Sequence, residues 1–210
     1  MTTPIEGHYC GRLRSFRPIL KEWIKANSEI AAEWLSVRDA PWWYNERASL
    51  SVFAGAIWRA DAFCFEEYSD RKREIKRHNG RLGDLYHGRV DLYFSLARSE
   101  FVAEAKYVWS GFSRNDNGAA KRIRDRLDCA CADVRTTRPG GRRKLGIVFA
   151  MPCFRRNYKS QVDDRIHRWT EVLGGLEASA YAWVFPGCTR TLWSSDKFFC
   201  PGAAVVIREI

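Results

Sequence analysis

The sequence lacks any apolar stretch that approaches the roughly 20 residues needed to span a bilayer. Its first residues, MTTPIEGHYCGRLRS, contain no apolar segment of the kind found in signal peptides. Low-complexity tracts and solenoid-like repeats are missing as well. Because 46% of the residues are hydrophobic and 14% are aromatic, the chain has enough apolar material for a core. These features predict a folded cytoplasmic protein with no membrane partner.

Cysteine is present, but in no arrangement that suits a disulfide framework or a structural zinc site. The seven cysteines are odd in number and scattered, and no CxxC pair occurs. His8 with Cys10, and Cys129 with Cys131, are close in sequence but lack the spacing of zinc ligands. We therefore expect reduced, buried thiols.

The charge of the chain is strongly positive, with a formal net charge of +10. A surplus of this size favours a polyanionic partner, and nucleic acid is the commonest one. The basic residues are spread along the chain, whereas a membrane-surface protein would gather them on one amphipathic helix. Nucleic acid is therefore the expected partner. Whether it is DNA or RNA, and whether the chain forms a homodimer, both stay open.

Hydrophobic periodicity predicts the secondary structure. Apolar residues at helical spacing predict four helices, over residues 16–37, 42–60, 113–136 and 161–173. Alternation and apolar runs predict six strands, AFCFEEY, RVDLYFSL, EFVAEAKYVW, KLGIVFAMPCF, AYAWVFP and AAVVIRE. The basic stretch SDRKREIKRHNGRLGDLYHG is interpreted as a loop or a loosely paired hairpin end.

The order of these elements predicts an α/β fold with a mixed central sheet flanked by helices. Residues 1–40 are predicted to form an N-terminal helical extension, and residues 41–210 are predicted to form the core domain.

Three residues of one predicted hairpin form the candidate active site. Asp91 lies on the first strand, and Glu104 and Lys106 lie on the second. A two-residue loop at Ala97–Arg98 sets Asp91 opposite Glu104, and a four-residue loop sets it opposite Lys106. In either register the three side chains share one face of the sheet, because side chains alternate with period two.

Two clustered carboxylates repel each other unless a cation lies between them. Mg²⁺ takes carboxylate oxygens and keeps several waters, and it can polarise a phosphoryl oxygen and acidify a bound water. The lysine can orient that water or offset charge on the phosphate. The alternative is a solvated strand face with a cross-strand Asp–Lys pair, although the apolar neighbours in FVAEAKYVW speak against it.

GRVDLYF followed by FVAEAK resembles the core signature of the PD-(D/E)XK nuclease superfamily, the restriction-endonuclease-like fold. Asp91 matches its Asp, and Glu104-Ala105-Lys106 matches its Glu-x-Lys, although Val90 stands where the pattern has proline. The helix–three-strand–helix–strand order of the superfamily matches residues 42–151. The resemblance implies an endonuclease or exonuclease that hydrolyses DNA phosphodiester bonds. In such an enzyme, Asp91 and Glu104 would bind Mg²⁺ or Mn²⁺, and Lys106 would assist the attacking water.

Many members of that superfamily carry another Glu on the preceding helix, and Glu46 fits this position. Glu46 lies one turn before Leu50 on the same helix face, so it enters the interface with the sheet. The alternative is an exposed N-terminal Glu favoured by the helix dipole. If it points away from Asp91, the next candidates are on the first strand, Glu66 and Glu67. Asp84 is a rival for the role of Asp91, but it is expected in a Gly-flanked loop.

The helix after the Glu-x-Lys strand is basic, and it is the candidate phosphate-binding surface. Its cationic residues are Lys121, Arg122, Arg124 and Arg126. An ordinary exposed helix face is the alternative. Two other functions also stay open, a nucleic-acid-binding protein of the same fold that does not cut, and a basic protein-interaction module.

Overall fold

The computed structural model describes residues 2–75, 82–111, 117–137, 140–190, 192–193 and 198–210. The helices in this part of the chain are α1 (Arg17–Glu33), α2 (Glu46–Arg59), α3 (Asn117–Arg135) and α4 (Val162–Gly174). The strands are β1 (Ile5–Cys10), β2 (Phe63–Ile75), β3 (Leu82–Leu96), β4 (Ser99–Gly111), β5 (Arg143–Arg155), β6 (Ala180–Phe185), β7 (Phe198–Phe199) and β8 (Ala203–Glu209). Short 3-10 turns cover Arg14–Phe16, Trp34–Val37, Pro41–Trp43, Arg156–Gln161 and Gly187–Thr189.

The strands of the described residues form one mixed sheet, in the order β1-β6-β8-β5-β4-β3-β2, with β7 paired to the end of β5. Strands β4 and β5 are parallel, and the other neighbouring strands are antiparallel. Parallel neighbours need a long crossover, and α3 provides it. The predicted α/β class, with a mixed sheet flanked by helices, is therefore confirmed.

Helices cover both faces of the sheet. On one face α1 and α2 pack on the strands, with Phe16 and Phe53 in the same hydrophobic cluster as Phe149 of β5. On the other face α3 and α4 pack on Val148, the preceding residue of β5. Strand β5 is therefore buried on both sides, which accounts for its continuous apolar sequence. No helix within the described ranges has the length and apolarity needed to cross a membrane.

The predicted helices correspond to α1–α4, and the predicted three-stranded meander corresponds to β2–β4. The basic stretch after the first strand is mostly a hairpin, since β2 and β3 pair from Phe63↔Ser95 out to Ile75↔Leu82. Of the two interpretations of this stretch, the hairpin end is therefore the correct one and the loop is wrong for these residues, while the centre, residues 76–81, lies outside the described residues. Asp84 accordingly lies on β3, with an exposed side chain, and not in a loop.

The N-terminal segment contains a strand that the sequence analysis missed. Strand β1 pairs antiparallel with β6, from Ile5↔Phe185 to Cys10↔Ala180, and forms one edge of the sheet. Residues of α1 belong to the same hydrophobic cluster as residues of β4, β5 and β8. Residues 1–40, predicted as a helical extension, thus share their sheet and core with the predicted core domain at 41–210.

Candidate active site at the point where two strands separate

The hairpin of β3 and β4 turns through two residues, Ala97 and Arg98. Both have left-handed backbone angles, with φ of 48° and 65°, as a two-residue hairpin turn of the primed type requires. The strands pair from Leu96↔Ser99 to Leu92↔Ala103. The two-residue loop is therefore the correct one of the two predicted loops, and Asp91 lies directly beyond the last pair of this register.

Strands β3 and β4 separate just beyond this paired region, whereas β4 continues to pair with β5. Beyond Ala103, the amides of β4 that face β3 need other acceptors, because an unpaired buried amide is costly. The Asp91 carboxylate accepts a hydrogen bond from the Ala105 N–H at 2.7 Å. The backbone of Tyr107, two residues further along β4, also acts on the Glu46 carboxylate and lowers its pKa. The Asp91 side chain thus takes the place of the missing strand at Ala105.

Strand β3 is irregular at Asp91. Val90 packs with valines on the α3 face, whereas Leu92 packs in the cluster under α1 and α2. On a regular strand these two residues would share a face. Across from them on β2, Glu67 has a left-handed φ of 51°, which marks the same irregularity on the neighbouring strand. This local change of face is where the Asp91 side chain turns toward β4.

Glu104 is the most deeply buried acid of the site, with 4% of the residue exposed. Burial, reinforced by the nearby charge of Asp91, raises the pKa of Glu104 to about 7. The ammonium of Lys72 opposes this rise, because its Nζ lies 2.6 Å from Oε1 of Glu104. Gly88 makes room for Lys72, since a Cβ at this glycine would lie 2.9 Å from carbons of the lysine side chain.

Lys72 is a residue of the site that the sequence does not predict. It lies in the basic stretch interpreted as a loop or a loosely paired hairpin end, so it has no predicted face or partner. In the structure Lys72 lies on β2, paired with Tyr86 of β3, and also makes a bridge to Thr137 after α3. The extended hairpin therefore bends over the end of α3 and brings Lys72 to Glu104.

Lys106 forms an ion pair with α3, with its Nζ 2.8 Å from Oδ2 of Asp133. Burial disfavours the charge on Lys106, but the hydrogen bond to Asp133 and the charges of Asp133, Glu46 and Asp91 raise its pKa overall. Lys106 is therefore a permanently charged group beside the acids. Asp133 had not been singled out in the sequence, because nothing local distinguishes it from other exposed helix carboxylates.

Glu46 is the first residue of α2, whose start is capped by the Asn45 side chain accepting from the Ala48 N–H at 3.0 Å. Burial raises the pKa of Glu46, with Asp91 adding to the rise and Lys106 opposing it. Glu46 is thus a partly buried acid at the start of α2, on which the charges of Asp91 and Lys106 both act. The other acidic candidates are engaged elsewhere, Glu66 with Ser51 and Glu67 with Arg47 and Arg89.

The acids can be tested for their fit to a metal ion. Within the described residues, no three acidic, histidine or cysteine side chains converge closely enough to hold a metal between them. Mg²⁺, however, usually keeps several waters and takes only one or two carboxylates from a protein. Asp91 and Glu104 could supply those two, although Lys72 already contacts one oxygen of Glu104. The donor set thus fits a partly hydrated ion and not a cage built entirely by the protein.

A groove of about 460 Å³ lies between the C-terminal half of β4 and α3, next to these acids. Of the four predicted phosphate-binding residues, Arg122 and Arg126 line it, together with Tyr107 and Trp109 of β4. The other two, Lys121 and Arg124, are exposed but do not line the groove. Lys121 forms an ion pair with Asp125, and Arg124 lies further round the helix.

Comparison of the chain with protein-family models, with curated proteins and with solved structures finds no match.

Proposed function

We propose that this protein is a metal-dependent nuclease of the restriction-endonuclease-like fold that hydrolyses phosphodiester bonds in DNA. The observation that carries the proposal is the cluster of Asp91, Glu104, Glu46 and Lys106 where β3 and β4 separate. Burial raises the pKa of both glutamates, and the Asp91 charge adds to the rise. Acids held together at such a cost are a common mark of functional sites.

The order of elements around the cluster supports the same fold. The chain runs from helix α2 through the antiparallel strands β2, β3 and β4 to helix α3. It then enters β5, which is parallel to β4. This is the order that the resemblance implies for residues 42–151.

Each residue of the cluster has a role in the proposed reaction. Asp91 and Glu104 would hold Mg²⁺ or Mn²⁺, which when bound polarises a phosphoryl oxygen and acidifies a water. Lys106, kept charged by Asp133, offsets the negative charge that develops on the phosphate. Glu46 would complete the group of acids, and the charges of Asp91 and Lys106 both act on its carboxylate.

The test is incubation of the purified protein with plasmid, linear duplex and single-stranded DNA, and with RNA, in Mg²⁺, in Mn²⁺ and in chelator. Cleavage is expected only with a divalent ion, and Asp91→Asn and Glu104→Gln should abolish it. Glu33→Gln, at an exposed position on α1, is the matched control and should cut like the unmodified protein. Binding of nucleic acid without cleavage in either metal would overturn the proposal.

A second function, nucleic-acid binding without cleavage, is favoured by the two ion pairs of the site. Lys72 neutralises Glu104, and Asp133 neutralises Lys106, so the cluster is partly balanced without a metal ion. Direct titration with Mn²⁺ separates the two functions. Binding that is lost in Glu104→Gln supports the nuclease, and no binding supports the alternative.

A further inference from the structure

The groove beside the acids has an aromatic wall. The Trp109 indole is 40% exposed, although it lies on a strand whose other large side chains are mostly covered. The ring of Tyr107 meets it edge to face, with centroids 5.5 Å apart and planes 80° apart. The tyrosine thus packs against the tryptophan, and both residues belong to the lining of the groove.

The opposite wall is cationic. Arg122 and Arg126 are exposed and lie one helical turn apart on α3, so they project from the same side of that helix. Arg122 also donates to the carbonyl of Gly111 at the end of β4, which holds its guanidinium across the groove. The Asp125 carboxylate is the anionic group of the lining, and it is paired with Lys121.

We propose that this groove binds a single strand of nucleic acid, with an unpaired base stacked on Trp109 and phosphates at Arg122 and Arg126. If the protein is the proposed nuclease, the groove makes a single strand or an unpaired end its preferred substrate. The proposed binding of a single strand does not depend on nuclease activity.

An exposed indole flanked by arginines selects against duplex. In a duplex the faces of each base are covered by its neighbours, so only an unpaired base can stack on a side chain. The groove volume of about 460 Å³ lies within the range of roughly 300–1,000 Å³ typical of pockets for small ligands. It is thus of a size for individual nucleotides.

The groove begins next to the proposed site along β4. Tyr107, which lines it, directly follows Lys106, and the Tyr107 hydroxyl donates to the Trp42 carbonyl at 3.0 Å. Trp109 lies two residues further along β4, about 7 Å away at the usual rise of a strand. The Arg126 charge also acts on Glu46. A strand anchored on Trp109 therefore has its next phosphates beside the proposed site.

The experiment measures binding in chelator, where no metal-dependent cleavage takes place. Anisotropy of a labelled oligodeoxythymidine and of a labelled duplex of equal length is followed for the unmodified protein, Trp109→Ala and Trp109→Phe. Trp58→Ala is the matched control, because Trp58 is 51% exposed on α2 and packs edge to face on Phe63, away from the groove. Circular dichroism checks that each variant is folded.

We expect the single strand to bind more tightly than the duplex. Trp109→Ala should weaken single-strand binding about tenfold or more, as loss of one stacked base does. Trp109→Phe should keep most of the affinity, and Trp58→Ala should keep all of it. Equal weakening by the two alanine variants, tighter binding of duplex, or no binding of nucleic acid would each overturn the inference.

These outcomes are separate from those of the nuclease test. If the protein cleaves DNA with a metal ion but its affinity for a single strand does not depend on Trp109, the nuclease proposal is supported and the proposed binding in the groove is wrong. If single-strand binding depends on Trp109 but no cleavage occurs in Mg²⁺ or Mn²⁺, the proposed binding in the groove is supported and the nuclease proposal is wrong.

Discussion

Replacement of Glu104 by Gln should change how the free energy of unfolding depends on pH. In the folded protein, burial and the charge of Asp91 raise the pKa of Glu104 to about 7, even though Lys72 contacts it. Glutamine has nearly the same shape and stays neutral at every pH. The substitution therefore removes the titration of this one group and leaves the packing of β4 in place.

The sign and the size follow from linkage between proton binding and folding. The ordinary pKa of the carboxyl is 4.5, so the folded protein holds this proton more tightly than the unfolded chain. The stabilising contribution of Glu104 is fully present below about pH 4.5 and is lost as the pH rises through about 7. At about 1.4 kcal/mol per pKa unit, the loss is roughly 3 kcal/mol. Glu104 is buried, so screening by solvent reduces this figure little.

The assay is denaturant unfolding in chelator at a series of pH values between about 4.5 and 8, with a matched set of variants. The difference in unfolding free energy between Glu104→Gln and the unmodified protein should grow by roughly 3 kcal/mol in favour of the variant across this range. Glu46→Gln should show a change of the same sign, because burial raises the pKa of Glu46 too. Glu33→Gln, at its exposed position, should follow the unmodified protein. If the plots of unfolding free energy against pH are parallel for Glu104→Gln and the unmodified protein, the pKa of Glu104 is not raised in the folded state and this reasoning is wrong.

Three further predictions concern catalysis and binding. Lys106→Ala should abolish cleavage while leaving DNA binding largely intact, and a rate near that of the unmodified protein in a gel assay would mean that Lys106 serves only as the partner of Asp133. Excess chelator should stop cleavage and added Mg²⁺ or Mn²⁺ should restore it, whereas activity unchanged in chelator would exclude a metal mechanism. The double variant Arg122→Ala, Arg126→Ala should weaken binding and flatten the plot of log affinity against log salt by roughly two, and an unchanged slope would place the phosphates elsewhere.

Much of the proposed site could be predicted because it depends on local periodicity. Glu104 and Lys106 share one face of β4, as alternation predicts. Asp91 comes from the same hairpin, but it approaches β4 through the change of face between Val90 and Leu92, which alternation does not predict. Glu46 followed from helical spacing to Leu50. The turn itself could not be chosen from the sequence, since Ala97 and Arg98 take left-handed backbone angles that Asn and Gly usually supply.

The partners of these residues could not be predicted, because they come from distant elements. Lys72 reaches Glu104 through the bend of a long hairpin whose polar sequence shows no buried face. Asp133 meets Lys106 only because α3 crosses between two parallel strands. Strand β1 was missed for a similar reason, since an edge strand of six residues with mixed burial has little apolar pattern.

The amide of Ala105 has a consequence for hydrogen exchange. Its acceptor is the carboxylate of Asp91, so a change in this side chain can free the amide without unfolding the sheet. The neighbouring amides of β4 that bond to β5 exchange only when that pairing opens. Deuterium uptake at Ala105 therefore reports the state of the Asp91 carboxylate directly. A cation that draws a carboxylate away from β4 would speed exchange there first, before any nucleic acid is present.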